Sequence, residues 1–411
     1  MVINVTRKNE FLIEGYDFIV KYNFDEIINR ENTDCIKYDF RKHYFGTDDV
    51  IPMWVADMDF KTPDFILNAI KQRINHPVMG YSFRSNGYHN AVLNWLQSRH
   101  QWTIKKEWIT FSPGVVPGLT LAVTIFTKPG DKIIVQPPVY FPFYSSIEGP
   151  GRKVIHNPLR LENGRYYFDF EDLKQKIDKR TKILILCSPH NPGGMVWKKE
   201  ELEQLANICL ENDILILSDE IHSDLIFRPN KHIPLASMTE EIAQNVITYM
   251  SPSKTFNMAA LSTAYVIIPN SHLKKEYDYI LEYNHLHIGN AFGNIALEAA
   301  YTHGNDWLEQ MLDYVEDNVE FVADFFRNKI PMVKILPPEG TYLIWIDFTN
   351  TGLSHAKIKE LLIYKAKVGL NDGATFGFGG DGFFRMNVAC PRTTVKESLY
   401  RIYKALNNSN L

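Results

Sequence analysis

Four short runs in the middle of the chain, DKIIVQ, TKILILCS, DILILSDE and NVITYMS, have centres built almost wholly from Ile, Leu and Val. A strand with one wet face alternates apolar and polar side chains. Runs that do not alternate belong to strands buried on both faces, as in a largely parallel sheet covered by helices. Between the second and third runs lies KKEELEQLANICLEND, which sets Leu202, Leu205, Ala206, Cys209 and Leu210 at helical spacing. Strand, helix and strand in that order form a βαβ unit. The chain is therefore expected to be α/β, with a mostly parallel sheet of about seven strands flanked by helices.

This alternation fades after roughly residue 300. There WLEQMLDYVEDNVEFVADFFRNKI predicts one long amphipathic helix. KILPPEGTYLIWIDF and GFFRMNVA then predict strands, and TTVKESLYRIYKALN a closing helix begun by Thr394 or a neighbour. At 411 residues the chain exceeds one ordinary core. The expected division is residues 1–70 as an N-terminal arm packed on the smaller domain, 71–305 as a large domain, and 306–411 as a small α+β domain.

Composition narrows the function. With 45% hydrophobic and 22% charged residues this is an ordinary globular sequence. A formal charge of -4 gives no surplus of Lys and Arg for nucleic-acid phosphates. Cys35, Cys187, Cys209 and Cys390 have no CxxC spacing, which points to reduced thiols and a cytoplasmic protein. MVINVTRKNEFLIEGYDFIV has scattered charges and no continuous apolar core, so neither a signal peptide nor a membrane anchor is expected. The histidines in DEIH, HLH and HN repeat no known ligand spacing, and no metal is expected.

Ligands of open α/β sheets sit beyond the carboxyl ends of the strands. Asn191 follows the run ending at Cys187, Asp219 closes the run ending at Leu217, and Lys254 follows the run ending at Met250. All three fall on one rim. In SPGVVPGLTLAVTIFTKPG, Pro117 suits a first helical turn and leaves the N–H groups around Gly114, Val115 and Val116 free at a helix N-terminus, where a phosphate binds. Ser251 and Ser253 add hydroxyls. A phosphate pocket, a carboxylate, an amide and a lysine on one rim match the groups of pyridoxal 5′-phosphate. Lys254 condenses with the aldehyde, Asp219 pairs with the ring nitrogen, Asn191 bonds the phenolic oxygen and Tyr140, in PPVYFPF, stacks on the ring. Strand alternation turns the neighbouring Glu220 away from Asp219's side.

The fragments PMWVADMDF, GYS, GVVPG, PPVYFPF, SPHNPGG, SDEIHSDL, SPSKTFN, PEGTYLIWIDF and GFFRMN resemble, in order from about residue 23 onward, the pyridoxal-phosphate enzymes of aminotransferase fold type I. They resemble in particular the MalY/PatB-type cystathionine β-lyases, or C–S lyases. The resemblance implies the same roles for Lys254, Asp219, Asn191 and Tyr140. It also implies that the Val115 and Val116 backbone cradles the phosphate and that Arg385 takes the substrate carboxylate. Tyr81 matches a tyrosine supplied by the neighbouring subunit, which implies a homodimer with shared sites.

Two positions depart from many aminotransferases: His222 stands where they carry a tyrosine, and Ser262 where they carry a phosphate-binding arginine. The first fits the β-lyase branch. For the second, serines, the helix end and a tyrosine are expected to serve instead.

The implied reaction is α,β-elimination from a sulfur amino acid. Lys254 removes the Cα proton, a thiolate leaves Cβ, and pyruvate and ammonia follow, with homocysteine as the thiol from cystathionine. An aminotransferase shares the first steps and then reprotonates the cofactor carbon; spacing and composition do not separate the two, and elimination rests on the family branch. A regulatory protein that keeps the fold and works by binding a partner is a third reading. The short segment before the match leaves no space for a DNA-binding module. Trp54 is expected to pack rather than touch substrate, and GFGGDG at 377–382 opens no helix, which marks a loop near the substrate rather than a dinucleotide site.

Overall fold

The computed structural model of the protein describes residues 21–408. Expectations for the first twenty residues lie outside the described residues. The main sheet is built from β1 (Ile109–Ser112), β2 (Lys132–Val135), β3 (Lys153–His156), β4 (Thr181–Cys187), β5 (Leu215–Asp219), β6 (Val246–Met250) and β7 (Ala264–Ile267). Its seven strands run in the order β1-β7-β6-β5-β4-β2-β3. All neighbours are parallel except β7, which is antiparallel to both β1 and β6.

Both faces of this sheet are covered by helices, α3 (Val115–Phe126) on one and α4 (Lys199–Glu211) on the other, while α1 (Asp64–Ile74) and α2 (Asn86–His100) pack on α5 (Ala291–His303), and α6 (Asn305–Lys329) packs with α7 (Arg392–Asn407). Alternate residues of each strand enter opposite cores. Ile133, Ile183, Ile185, Leu217 and Ile247 pack with Leu119, Ala122 and Val123 of α3. Ile134, Leu184, Ile216 and Val246 enter the other core with Leu202, Leu205 and Ala206 of α4. Burying each such aliphatic side chain contributes about 1.5–3 kcal/mol, which is why the centres of these runs are dominated by apolar residues.

A second, four-stranded antiparallel sheet comprises β8 (Lys334–Leu336), β9 (Leu343–Asp347), β10 (Asn371–Asp372) and β11 (Phe383–Asn387), in the order β8-β9-β11-β10. The stretch KILPPEGTYLIWIDF thus forms two strands, because Pro337 and Pro338 cannot continue a ladder. The closing helix begins at Arg392, with Pro391 at its N-cap, two residues before Thr394. Upstream, Ile51–Pro52 pairs in parallel with Val368–Gly369. We propose the division at residues 70 and 305 as above, noting that α1 spans the first boundary.

Register places the functional loops side by side. Cys187 pairs with Asp219 and Asp219 with Tyr249, so the chain leaves β4, β5 and β6 at one level. Helix α3 approaches this edge closely because Gly118 has no side chain. A Cβ there would lie 2.7 Å from Ser112 Oγ and 2.9 Å from a ring carbon of Tyr249.

Candidate active site

A cavity of about 210 Å³ opens at the carboxyl edge of the main sheet, and Val115, Val116, Tyr140, Asn191, Asp219, His222, Ser253 and Lys254 all line it. At one end stands the N-terminus of α3. The first N–H groups of a helix have no partner within it; here Gly118 is the first residue to bond back, to the Gly114 carbonyl at 3.1 Å. The Ser253 hydroxyl lies 2.9 Å from that of Ser251, whose Oγ donates to the Thr263 carbonyl at 2.7 Å. Ser253 therefore faces the cavity and Ser251 supports it from behind. Ser262, in a left-handed turn at φ 45°, brings no guanidinium to this end.

Asp219 closes β5 and is buried. Its Oδ1 accepts the Ile221 N–H at 3.2 Å, and it has no ion pair among the described residues. Burial raises its pKa from the usual carboxylate range to about 7, against the Ile221 bond and the Lys254 charge. Glu220, one residue on, points the other way and is enclosed by the Ser218 hydroxyl, His232 and the Leu235 N–H. Alternation along β5 is what separates the two carboxylates.

Lys254 lies in the loop after β6, half-buried at the cavity wall, and donates to the Ala56 carbonyl at 2.6 Å. Burial lowers its pKa to about 8, a shift opposed by Asp57 and Asp219 and assisted by Arg385. A sizeable fraction of its amine is therefore neutral near physiological pH. His222 is buried with Nδ1 unpartnered, and burial with the Lys254 and Arg385 charges lowers its pKa to about 3. It is a neutral imidazole. Burial also raises the pKa of Tyr140.

Arg385, from β11, does not line the cavity itself but reaches it through Asn191. It is buried, and its Nη1 donates to Asn191 Oδ1 at 2.8 Å. A guanidinium has only donors, so this bond orients the amide and turns Asn191 Nδ2 toward the cavity. Nη2 donates to the Trp54 carbonyl at 3.1 Å and to Asn371 Oδ1, while Nε has no partner. Trp54 itself packs, its ring stacked on Tyr44 at 4.1 Å.

The residues fit pyridoxal 5′-phosphate by their own chemistry. The site offers a buried carboxylate lacking a cation, an amine lacking a carboxylate, an amide N–H aimed inward and a helix N-terminus at one end. Tyr81 is 95% exposed and does not reach this cavity within its own chain.

The chain is similar to known proteins over nearly its whole length. The profile of the family described as "Aminotransferase class I and II" matches residues 48–402. The chain belongs to this family. Within it, the chain is 44% identical over 386 residues to the cystathionine β-lyase PatB of Bacillus subtilis, covering 94% of this chain and all of that one. Cystalysin from Treponema denticola, solved with pyridoxal 5′-phosphate, superposes with a TM-score of 0.92 at 38% identity, over 95% of this chain and all of that one. A C–S lyase from Staphylococcus hominis, solved with the same cofactor, gives 0.88 at 36% identity, over 95% and 99% of the two chains. The fold is that of the type I pyridoxal-phosphate enzymes, as the motifs implied.

Several residues beside the site gave no signal in the sequence. Asp57 is bonded bidentately by Arg30 and lies 3.6 Å from Lys37. Tyr342 donates to the same Ala56 carbonyl that receives Lys254, at 3.1 Å. Asn371 lies on a two-residue strand no periodicity could reveal. Among the described residues no group of three potential ligands could hold a metal ion, and no helix is long and apolar enough to cross a membrane.

Proposed function

We propose that the protein is a pyridoxal 5′-phosphate-dependent C–S β-lyase. It cleaves an amino acid bearing sulfur on Cβ, such as cystathionine, to a thiol, pyruvate and ammonia. One observation carries the reading: Lys254 and Asp219 line one cavity, Arg385 stands behind its Asn191 wall, and no opposite charge is bonded to any of the three among the described residues. Elimination rather than transamination is supported by the similarity to the B. subtilis cystathionine β-lyase over that enzyme's full length.

When bound, the cofactor supplies an electron sink for the pair released at Cα. Asp219 keeps the ring nitrogen protonated; facing that cation, its carboxylate ionises readily despite burial. Asn191 Nδ2 donates to the phenolic oxygen, and the α3 N-terminus with Ser253 holds the phosphate. Arg385, with Nε–H and one Nη1 hydrogen still free, grips the substrate carboxylate. The Lys254 amine, neutral in part because of burial, takes the Cα proton. A thiol of pKa about 8.5 then leaves as thiolate with little help. Neutral His222 borders this space without adding charge.

A homodimer completes the site in this reading. Val78, Met79, Tyr81 and Phe83 form an exposed, largely apolar run, suited to contact a second copy and to bring Tyr81 to its cavity. The small-molecule substrate, the absence of a basic surplus and four free thiols support a cytoplasmic enzyme that does not engage nucleic acid.

Incubation of the cofactor-loaded protein with cystathionine tests the reading. Pyruvate and homocysteine in equal amounts are expected. Transfer of the amino group to a keto acid without pyruvate would make it an aminotransferase. Neither reaction would leave a cofactor-bearing regulatory protein.

A further inference from the structure

Arg385 is a buried cation whose every bonded partner is neutral. Its Nη1 donates to the Asn191 amide, and Nη2 to the Trp54 carbonyl and the Asn371 amide. The Phe376 ring lies under the guanidinium, 5.0 Å from its carbon. Proteins rarely leave a buried guanidinium without a carboxylate, because desolvation is costly unless opposite charge compensates it. Here the missing charge is the one the substrate brings.

Asn371 is the residue placed to decide this. It sits directly across the strand pair from Arg385, is buried, and presents Oδ1 to Nη2. Its amide is fixed from the other side, where Nδ2 donates to Tyr44 Oη at 3.3 Å. Tyr44 in turn stacks on Trp54, whose carbonyl completes the guanidinium's set. The next residue, Asp372, does carry a carboxylate, but the strand turns it to the opposite face. There it is bonded by His355 at 2.7 Å and Lys359 at 2.8 Å. One position earlier in the strand, the same carboxylate would face Arg385.

We propose that Asn371 is a positioning residue, locked by Tyr44, that aims Arg385 while withholding a countercharge and so reserves the guanidinium for the substrate's α-carboxylate. The inference rests on the substrate-carboxylate role given to Arg385 above. Aspartate is nearly isosteric with asparagine, so Asn371→Asp changes charge and little else. It supplies an intramolecular carboxylate that competes with substrate.

The test compares cofactor-loaded wild type with Asn371→Asp. In the variant, KM for cystathionine rises by roughly 100-fold while kcat stays within about threefold, in line with the loss of a desolvated charge pair. The visible band of the bound cofactor is retained. The thermal midpoint without ligand is at or above that of wild type, whereas a merely structural lesion lowers it. Sodium acetate, measured against equal sodium chloride, raises the wild-type midpoint and no longer raises that of the variant. A KM within about threefold of wild type overturns the proposal. If Asn371→Asp does not fold, Asn371→Leu, which removes the acceptor, is expected to raise KM about tenfold, and an unchanged KM again overturns it. Arg385→Ala separates the two levels. If it raises KM and Asn371→Asp does not, only the inference about Asn371 fails. If Arg385→Ala leaves KM unchanged, the role of Arg385 fails with it.

Discussion

Two buried regions of this molecule, both touching the loop at 54–60, treat charge in opposite ways. In the first, Lys37 and Arg30 meet Asp57 and Asp59: Lys37 Nζ lies 2.9 Å from Asp59, and Arg30 lies 2.7 Å from each carboxylate. Burial disfavours the Lys37 charge, yet the two carboxylates hold its pKa above the usual lysine range. In the second, Lys254, Asp219 and Arg385 are bonded only to neutral groups, and burial drives each toward its uncharged form. The first cluster is closed and structural. The second is open, and in the reading proposed above its unmet charges await an aldehyde and a ring nitrogen for Lys254 and Asp219 and a carboxylate for Arg385.

The largest expected break in this contrast is Lys254→Ala. Loss of the amine is predicted to lower turnover, followed as pyruvate release, by on the order of 10⁴-fold or more. Lys37→Met, which carries no charge into the paired cluster, leaves two carboxylates to one arginine. It is expected to lower stability by about 3 kcal/mol, read from the thermal midpoint, through structure rather than chemistry. Arg385→Ala should raise KM and lower kcat, with kcat/KM down about 100-fold, or about 2.7 kcal/mol.

The smallest effect sharpens the contrast most, because its sign is opposite to that of Lys37→Met. In the cofactor-free protein the folded chain keeps the Asp219 proton up to about pH 7, whereas the unfolded carboxyl releases it near 3.8. Stability therefore falls as pH rises through that window. Lys254 contributes the reverse slope between about pH 8 and 10.5, where the unfolded chain holds a proton the folded one has lost. Asp219→Asn is predicted to stabilise the cofactor-free protein by about 1–2 kcal/mol at pH 8 and to have no such effect near pH 3. Thermal midpoints across pH check this, and equal stability of the two proteins at pH 8 would remove the strain assigned to Asp219.

What the sequence made legible follows the same physics. Strands buried on both faces must be continuously apolar, so β2, β4, β5 and β6 were evident, and with them the rim carrying Asn191, Asp219 and Lys254. Strand β7 was not, because AYVI follows a glycine-free loop and nothing local states that it runs antiparallel between β1 and β6. The open cavity was readable from Lys254 and its neighbours because each follows a strand end. The closed cluster was not: Arg30, Lys37, Asp57 and Asp59 lie on irregular segments whose meeting is set by tertiary packing. Asn371 escaped for a related reason, since pairing across an antiparallel ladder leaves no trace in spacing, and Tyr342 because its bond to the Ala56 carbonyl is a long-range tertiary contact.

Reduction of the pyridoxal-phosphate-loaded protein with borohydride, followed by peptide mapping, tests the central claim most directly. The account predicts a single pyridoxyl-modified peptide, containing SPSKTFN with the label on Lys254. A label on any other lysine, or none at all in protein that has visibly bound the cofactor, would contradict it.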